Sequence, residues 1–262
     1  MSEDISGARK RSRSPLTKAV LALAGIALFI GFISLGTWQV QRRAWKLDLI
    51  ERVDQRVHGQ PVPLPQPAQW PAVDAIGYEY LPVQMQGEWR FDKTQLSQAL
   101  TEDGSGFWVL TPLHTEGGFD VWVNRGFIAD TQRRQWLPQG AAYERELATP
   151  ISARTVKVTG LLRLTEPGGG FMRKNAPAEG RWHSRDVAAL SASAGLDQVA
   201  PFFVDAGLPG HKAVAVAGQP KSGMTVISFP NTHLVYALTW YGLAAMVLLA
   251  AWLVRRSEQR RR

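Results

Sequence analysis

Two uncharged apolar runs constrain this chain more than anything else in it. Residues 19–38 read AVLALAGIALFIGFISLGTW, and residues 234–254 read LVYALTWYGLAAMVLLAAWLV. A bilayer core of about 30 Å is crossed by about 20 apolar residues in helical form, and both runs reach that length. Trp and Tyr stand near their ends, where interfacial anchors stand. A buried core helix rarely runs five turns without a polar side chain, so two transmembrane helices are the reading. The first run exceeds the short apolar region of a secretory signal, and no clear small-x-small cleavage site follows it. An uncleaved anchor is therefore expected.

The charge pattern orients these helices. The chain carries a net +8, but the excess sits in the tails. Arg9, Lys10, Arg11, Arg13 and Lys18 precede the first run; Arg255, Arg256, Arg260, Arg261 and Arg262 follow the second. Basic residues stay on the cytoplasmic side, and long loops translocate largely regardless of charge. Both termini are thus expected in the cytoplasm, with everything between the helices outside it. Glu3 and Asp4 argue against an acid-poor mitochondrial transit segment, which leaves a bacterial inner membrane as the expected site. The stretch between the spans is nearly neutral, so no nucleic-acid footprint is expected on it.

The expected organisation is a basic tail over 1–18, a transmembrane helix over 19–38, a periplasmic β-rich domain over 39–232, a second transmembrane helix over 233–254 and a basic tail over 255–262. Helical character is predicted to continue from Trp38 to Val57, through good helix formers without Gly or Pro. Pro61, Pro63, Pro65, Pro67 and Pro71 then impose a loop. Strand signals follow at Tyr78–Gln86, Phe107–His114, Phe119–Ala129, Thr155–Leu164 and Pro201–Ala206. Thr115–Gly118 is a predicted hairpin turn. One short helix is predicted over Arg185–Ala194, capped by Ser184 and stopped by Gly195. The fold class is an α+β membrane protein. Two transmembrane helices flank a mainly antiparallel β extracytoplasmic domain with small helical additions.

Enzyme templates fail in turn. There is no cysteine, so thiol chemistry, Cys-ligated zinc and iron–sulfur clusters are excluded. No nucleophile elbow, H-E-x-x-H, phosphate-binding loop or dinucleotide fingerprint is present. His114 with Asp120, and His183 with Asp186, form pairs but position no nucleophile. His58 and His211 carry no signal. No enzymatic activity is expected.

His233 stands apart, directly before the second apolar run, with Asn231 as the predicted helix cap. Ionisable residues at membrane depth are functional candidates. Tyr236, Ala237 and Trp240 follow at helical spacing. An imidazole above an aromatic wall suits a porphyrin, because imidazole is a common axial ligand of haem iron. The competing reading is an interfacial anchor, and the residues alone leave both open.

Three segments carry a family resemblance. Leu35-Gly36-Thr37-Trp38-Gln39, with Arg42 and Trp45-Lys46, closes the first run. Val123-Asn124-Arg125-Gly126-Phe127-Ile128 forms the clearest strand. Asn231-Thr232-His233-Leu234-Val235-Tyr236-Ala237-Leu238-Thr239-Trp240 opens the second run. In sequence and order these resemble the surfeit locus protein family. The resemblance implies an assembly factor for haem-copper cytochrome c oxidase that binds haem a and assists its delivery to the large oxidase subunit. His233 is then the implied iron ligand, Trp240 and Tyr236 the porphyrin wall, and Arg42 a propionate partner. Implied partners are the large subunit, the haem a synthesis machinery and the lipid bilayer. A scaffold that binds oxidase subunits without a cofactor is the alternative. Asn124-Arg125-Gly126 is read as structural.

Overall fold

The computed structural model describes residues 15–170, 173–209, 218–225 and 231–260. His211 and the outermost residues of both basic tails lie outside them. The chain divides into two units, one made of the chain up to Ile50 together with the chain from Ser228 on, the other of Glu51–Ile227.

Helix α1 (Pro15–Val57) begins on a proline and runs 43 residues, those up to Ile50 in the first unit and the rest in the second. At 1.5 Å per residue it is about 65 Å long. Helix α5 spans His233–Gln259. Both are long and apolar enough to cross a membrane, and the most apolar windows are only 6% and 11% buried in protein. A core helix of a soluble protein would be covered. The residues of α5 that are not exposed are His233, Ala237, Trp240, Leu243, Ala244 and Val247. Those of α1 before Ile50 include Gly25, Phe29, Phe32, Gly36, Gln39, Arg43 and Lys46. Alternating steps of four and three mark a narrow seam, the spacing of two helices packed side by side.

In the second unit the end of α1 buries Val53 and Val57, and Arg56 donates to the carbonyls of Glu79, at 2.8 Å, and of Ile76. The strands are β1 (Val62–Pro63), β2 (Pro82–Trp89), β3 (Gln95–Thr101), β4 (Gly104–Thr115), β5 (Asp120–Ala129), β6 (Thr155–Leu164), β7 (Gly169–Gly170), β8 (Arg173–Lys174) and β9 (Val199–Ala206). The main sheet runs β1-β2-β6-β9-β5-β4-β3, and β2 also pairs with β4. That last pairing, Gly87–Trp89 against Leu113–Thr115, closes β2, β6, β9, β5 and β4 into a ring. A closed ring leaves no unpaired edge; β1 and β3 are appended outside it. Pairing is antiparallel except for β1–β2 and β5–β9. β7 and β8 form a separate small hairpin.

Alternation along the strands sorts their side chains. Val83, Met85, Leu113, Val121, Val123, Val158, Leu162, Ala200, Phe202 and Val204 share one buried cluster, the interior of the ring. Trp122 and Phe203, the alternate residues, pack instead with Val187, Leu190 and Ala194 of helix α4 (Val187–Ala194) and with Trp182. A third cluster joins Leu96, Phe107, Val109 and Ile128 to Trp136 and Ala142 of the short helices α2 (Arg133–Trp136) and α3 (Ala141–Leu147).

Several expectations hold to the residue, including β6 and the end of α1 at Val57. The turn at Thr115–Gly118 is closed by Gly118 N–H to Thr115 and Thr115 N–H to Phe119. Others shift. The cap of α4 is Asp186, whose carboxylate accepts from Ala189 N–H at 3.1 Å, while Ser184 turns its hydroxyl to Glu166. A carboxylate at a helix N-terminus also meets the positive end of the dipole, so Asp outcompetes a nearby Ser. The cap position of α5 is Thr232, without a side-chain cap bond, in place of Asn231. The 78–81 segment is a turn, with Tyr80 in the left-handed region at φ 61°, so β2 starts four residues later than the apolar pattern suggests. Strand β3 and helices α2 and α3 carry no strong periodic signal, and the sequence reading lacks them.

Candidate functional site

The seam of the first unit holds the candidate site. Close approach of α1 and α5 depends on small residues: Ala237 and Ala244 are each 2% exposed. A Cβ on Gly36 would lie 2.6 Å from the Tyr241 ring, so the glycine makes room for that ring where it lies. The Tyr241 hydroxyl lies 3.3 Å from Thr37 Oγ1. Beside it in the chain, Trp240 stacks on Phe32 at 5.8 Å between ring centroids.

His233 is the first residue of α5. Its Nδ1 lies 2.7 Å from Gln39 Oε1. An amide oxygen only accepts, so Nδ1 carries the hydrogen in this pairing and Nε2 presents its lone pair. Two residues earlier, Asn231 Oδ1 is buried without a hydrogen-bond partner among the described residues. Imidazole fixed in tautomer and orientation by an acceptor on its other nitrogen is how metal-binding histidines are prepared. One imidazole nitrogen is thus left without a protein partner among the described residues, the kind of donor a haem iron takes, and the stacked Trp240–Phe32 pair lies on the same seam.

The other predicted site residues lie differently. Trp240 shares the seam with His233. Tyr236 is 54% exposed, about 60° round the helix from His233 at 100° per residue. Arg42 places its guanidinium 4.0 Å above the Trp45 ring. Gln39 and Tyr241 are the residues the site reading missed. Gln39 had a signal, since it continues the four-three spacing of Gly25, Phe29, Phe32 and Gly36. Its partner on α5 could not be read from that spacing.

The second unit contains a polar cluster that the sequence did not reveal. Asp205, 3% exposed at the end of β9, accepts from Asn124 (2.8 Å), Arg163 (2.9 Å), Arg185 (3.1 Å) and Thr225 (3.0 Å). Arg163 also pairs with Glu79 at 2.8 Å, and Arg185 with Glu166 at 2.5 Å. Arg163 lies over the Tyr80 ring at 4.6 Å. Burial works against the charge of Arg163, but Asp205, Tyr80 and Glu79 more than offset it and raise its pKa. Burial would raise the Glu166 carboxyl, yet Arg185 holds it below its usual value. Burial also pushes the Tyr80 phenol up. Each charged group here is engaged by a neighbour, as in a structural latch. Arg125, in the central motif, holds Glu146 at 2.8 and 2.6 Å and faces the rings of Trp89, Phe91 and Trp136. It fastens α3 to the ring. Gly126 has φ 134°, and a Cβ there would press into the Lys221 backbone. The motif is structural, in line with the sequence reading.

Of the histidine pairs, His114 Nδ1 lies 3.0 Å from Asp120, which Arg90 also engages at 2.9 Å. His183 contacts Gln98 at 2.8 Å. His58 pairs locally with Asp54. No group of three or more metal-binding side chains occurs among the described residues.

Residues 26–245 match the SURF1 family. Surfeit locus protein 1 of Homo sapiens is 34% identical over 257 residues, covering 92% of this chain and 78% of its own. Its namesake in Mus musculus is 34% identical over 227 residues, covering 80% and 68%. The SURF1-like protein of Caenorhabditis elegans is 27% identical over 269 residues, covering 94% and 77%. Between them these matches take in both apolar helices and the β domain, and the chain belongs to the SURF1 family.

Proposed function

We propose that this protein is a membrane-anchored assembly factor for haem-copper cytochrome c oxidase, and that it holds haem a at His233 for delivery to the large oxidase subunit. The observation that carries the cofactor reading is the 2.7 Å contact from His233 to Gln39, which engages Nδ1 and leaves Nε2 as the ring nitrogen open to a ligand. The oxidase reading rests on the family. In this reading α1 and α5 cross a bacterial inner membrane over residues 19–38 and 233–254, both termini are cytoplasmic, and residues 39–232 form the periplasmic domain. The basic tails and the uncovered apolar helix surfaces support that topology.

Haem iron supplies a Lewis-acid centre that an imidazole nitrogen can coordinate. The chain's part is to orient His233 through Gln39, to offer Trp240 and Tyr236 as apolar cover, and to place cations such as Arg42 for the propionates. The start of α5 adds a favourable field for those carboxylates. A lipophilic porphyrin is sparingly soluble, so a site at the bilayer edge avoids its passage through water. No enzymatic step is assigned, and the haem a synthesis machinery and the large subunit are the proposed donor and acceptor.

An absorption spectrum of the full chain, purified in mild detergent from cells that make haem a, tests this. The parent is expected to show a Soret band and His233→Ala none. Gln39→Leu should weaken haem retention about 10-fold, the scale of losing the group that orients a ligating histidine. A haem-free parent would assign the protein to the cofactor-free scaffold reading.

A further inference from the structure

Strand β3 is appended outside the closed ring, and half of its outer edge is bare. Along a strand, the N–H and C=O of one residue point to the same side and alternate with those of the next. Gln98 N–H donates outward to the Trp182 carbonyl at 2.8 Å, and Ser97 bridges Trp182 in parallel register. Leu100, two residues on, therefore presents its N–H and C=O to the same outer edge. No strand pairs there among the described residues, and its side chain is 83% exposed. Edge strands are ordinarily blunted by charge, proline or a bulge. Gln95–Thr101 (QLSQALT) has no charge or proline, and its register with β4 is unbroken.

An open cleft of about 500 Å³ adjoins this edge, lined by Gln98, Leu100, Phe107, Asp130, Arg173 and His183. Gln98 Oε1 accepts from Arg173 at 3.4 Å and lies 2.8 Å from His183 Nδ1. Neither Arg173 nor Asp130 has an ion-pair partner among the described residues. The cleft thus combines the free backbone N–H and C=O of Leu100, an apolar floor at Phe107, and two charges of opposite sign that have no ion-pair partner among the described residues.

We infer that the Gln98–Leu100 edge and its cleft bind an extended peptide segment of a partner protein, added as a further strand. Its side chains would include an acidic one for Arg173 and a basic one for Asp130. Strand addition draws affinity from main-chain hydrogen bonds and selectivity from alternate side-chain sites, and both parts are present. This deepens the assembly reading, on which it rests for the source of the segment: an extended stretch of an oxidase subunit before that subunit has folded into place.

The test uses the full chain in detergent and a fluorescein-labelled, end-capped peptide, Thr-Glu-Val-Thr-Val-Lys-Thr, read by anisotropy. Leu100→Pro removes one outward N–H that the domain itself does not use, a change edge strands accept. It should weaken peptide binding at least about 10-fold and leave thermal unfolding in place. Arg173→Glu should weaken this peptide and recover binding when the peptide Glu is replaced by Lys. A parent that does not bind the peptide, or equal binding by Leu100→Pro, overturns the inference. So does a parent dimer that Leu100→Pro abolishes, since the occupant of the edge is then a second copy. Haem retention by the same samples is read separately, so failure here is distinguishable from failure of the cofactor reading.

Discussion

At the residue scale, two glycines make room for a neighbour, and they differ in what replacing them would cost. Gly36 admits the Tyr241 ring to the helix seam. Gly126 combines a φ of 134° with a backbone carbonyl where a side chain would begin. A tyrosine ring can swing aside; a strand's neighbour cannot. Gly126→Ala is therefore expected to cost about 3 kcal/mol, from backbone strain plus overpacking. Urea unfolding in detergent, followed by tryptophan fluorescence, measures it, and a cost below about 0.5 kcal/mol would show that the Lys221 segment yields. Gln39 makes a different point. It is an ordinary half-buried polar residue until His233 is set beside it, and its contribution then is to fix which imidazole nitrogen is free.

At the element scale, the end of β9 is the junction of the β domain. Asp205 ties β5 through Asn124, β6 through Arg163, the entry to α4 through Arg185, and the following segment through Thr225. Replacing hydrophobic residues by such a network is seldom stabilising in itself, but removing one member strands the others. Asp205→Asn keeps the shape and removes the charge that two half-buried guanidiniums share. The expected loss is about 3–5 kcal/mol, seen as a lower unfolding midpoint. A near-neutral result would mean that Glu79 and Glu166 suffice as counter-charges.

At the scale of the whole molecule, charge and apolarity are segregated along the chain. The basic tails adjoin the two helices, and the nearly neutral β domain lies between them in sequence. If both termini are cytoplasmic, Glu102→Cys, in the β3–β4 turn, reacts with a membrane-impermeant maleimide on intact spheroplasts, and Ser257→Cys, near the end of α5, reacts only after lysis. The natural chain has no cysteine, so each label reports one site. The reverse pattern would invert the proposed topology.

The sequence by itself determined what depends on local repetition and composition. The apolar runs, the extension of α1 to Val57, the strands of alternating pattern and the candidate His233 all follow from residues near one another in the chain. It could not show that β2 meets both β6 and β4, because closure of the ring is a pairing between strands far apart in sequence. For the same reason the Asp205 cluster was hidden: its members come from separate stretches of the chain, and none is unusual alone. β3 was missed because its residues have weak β propensity, and its pairing with β4 supplies the order that the segment lacks. The tertiary structure also decided which atom of His233 is available, since a tautomer is set by the partner of the other nitrogen and that partner, Gln39, lies 194 residues away.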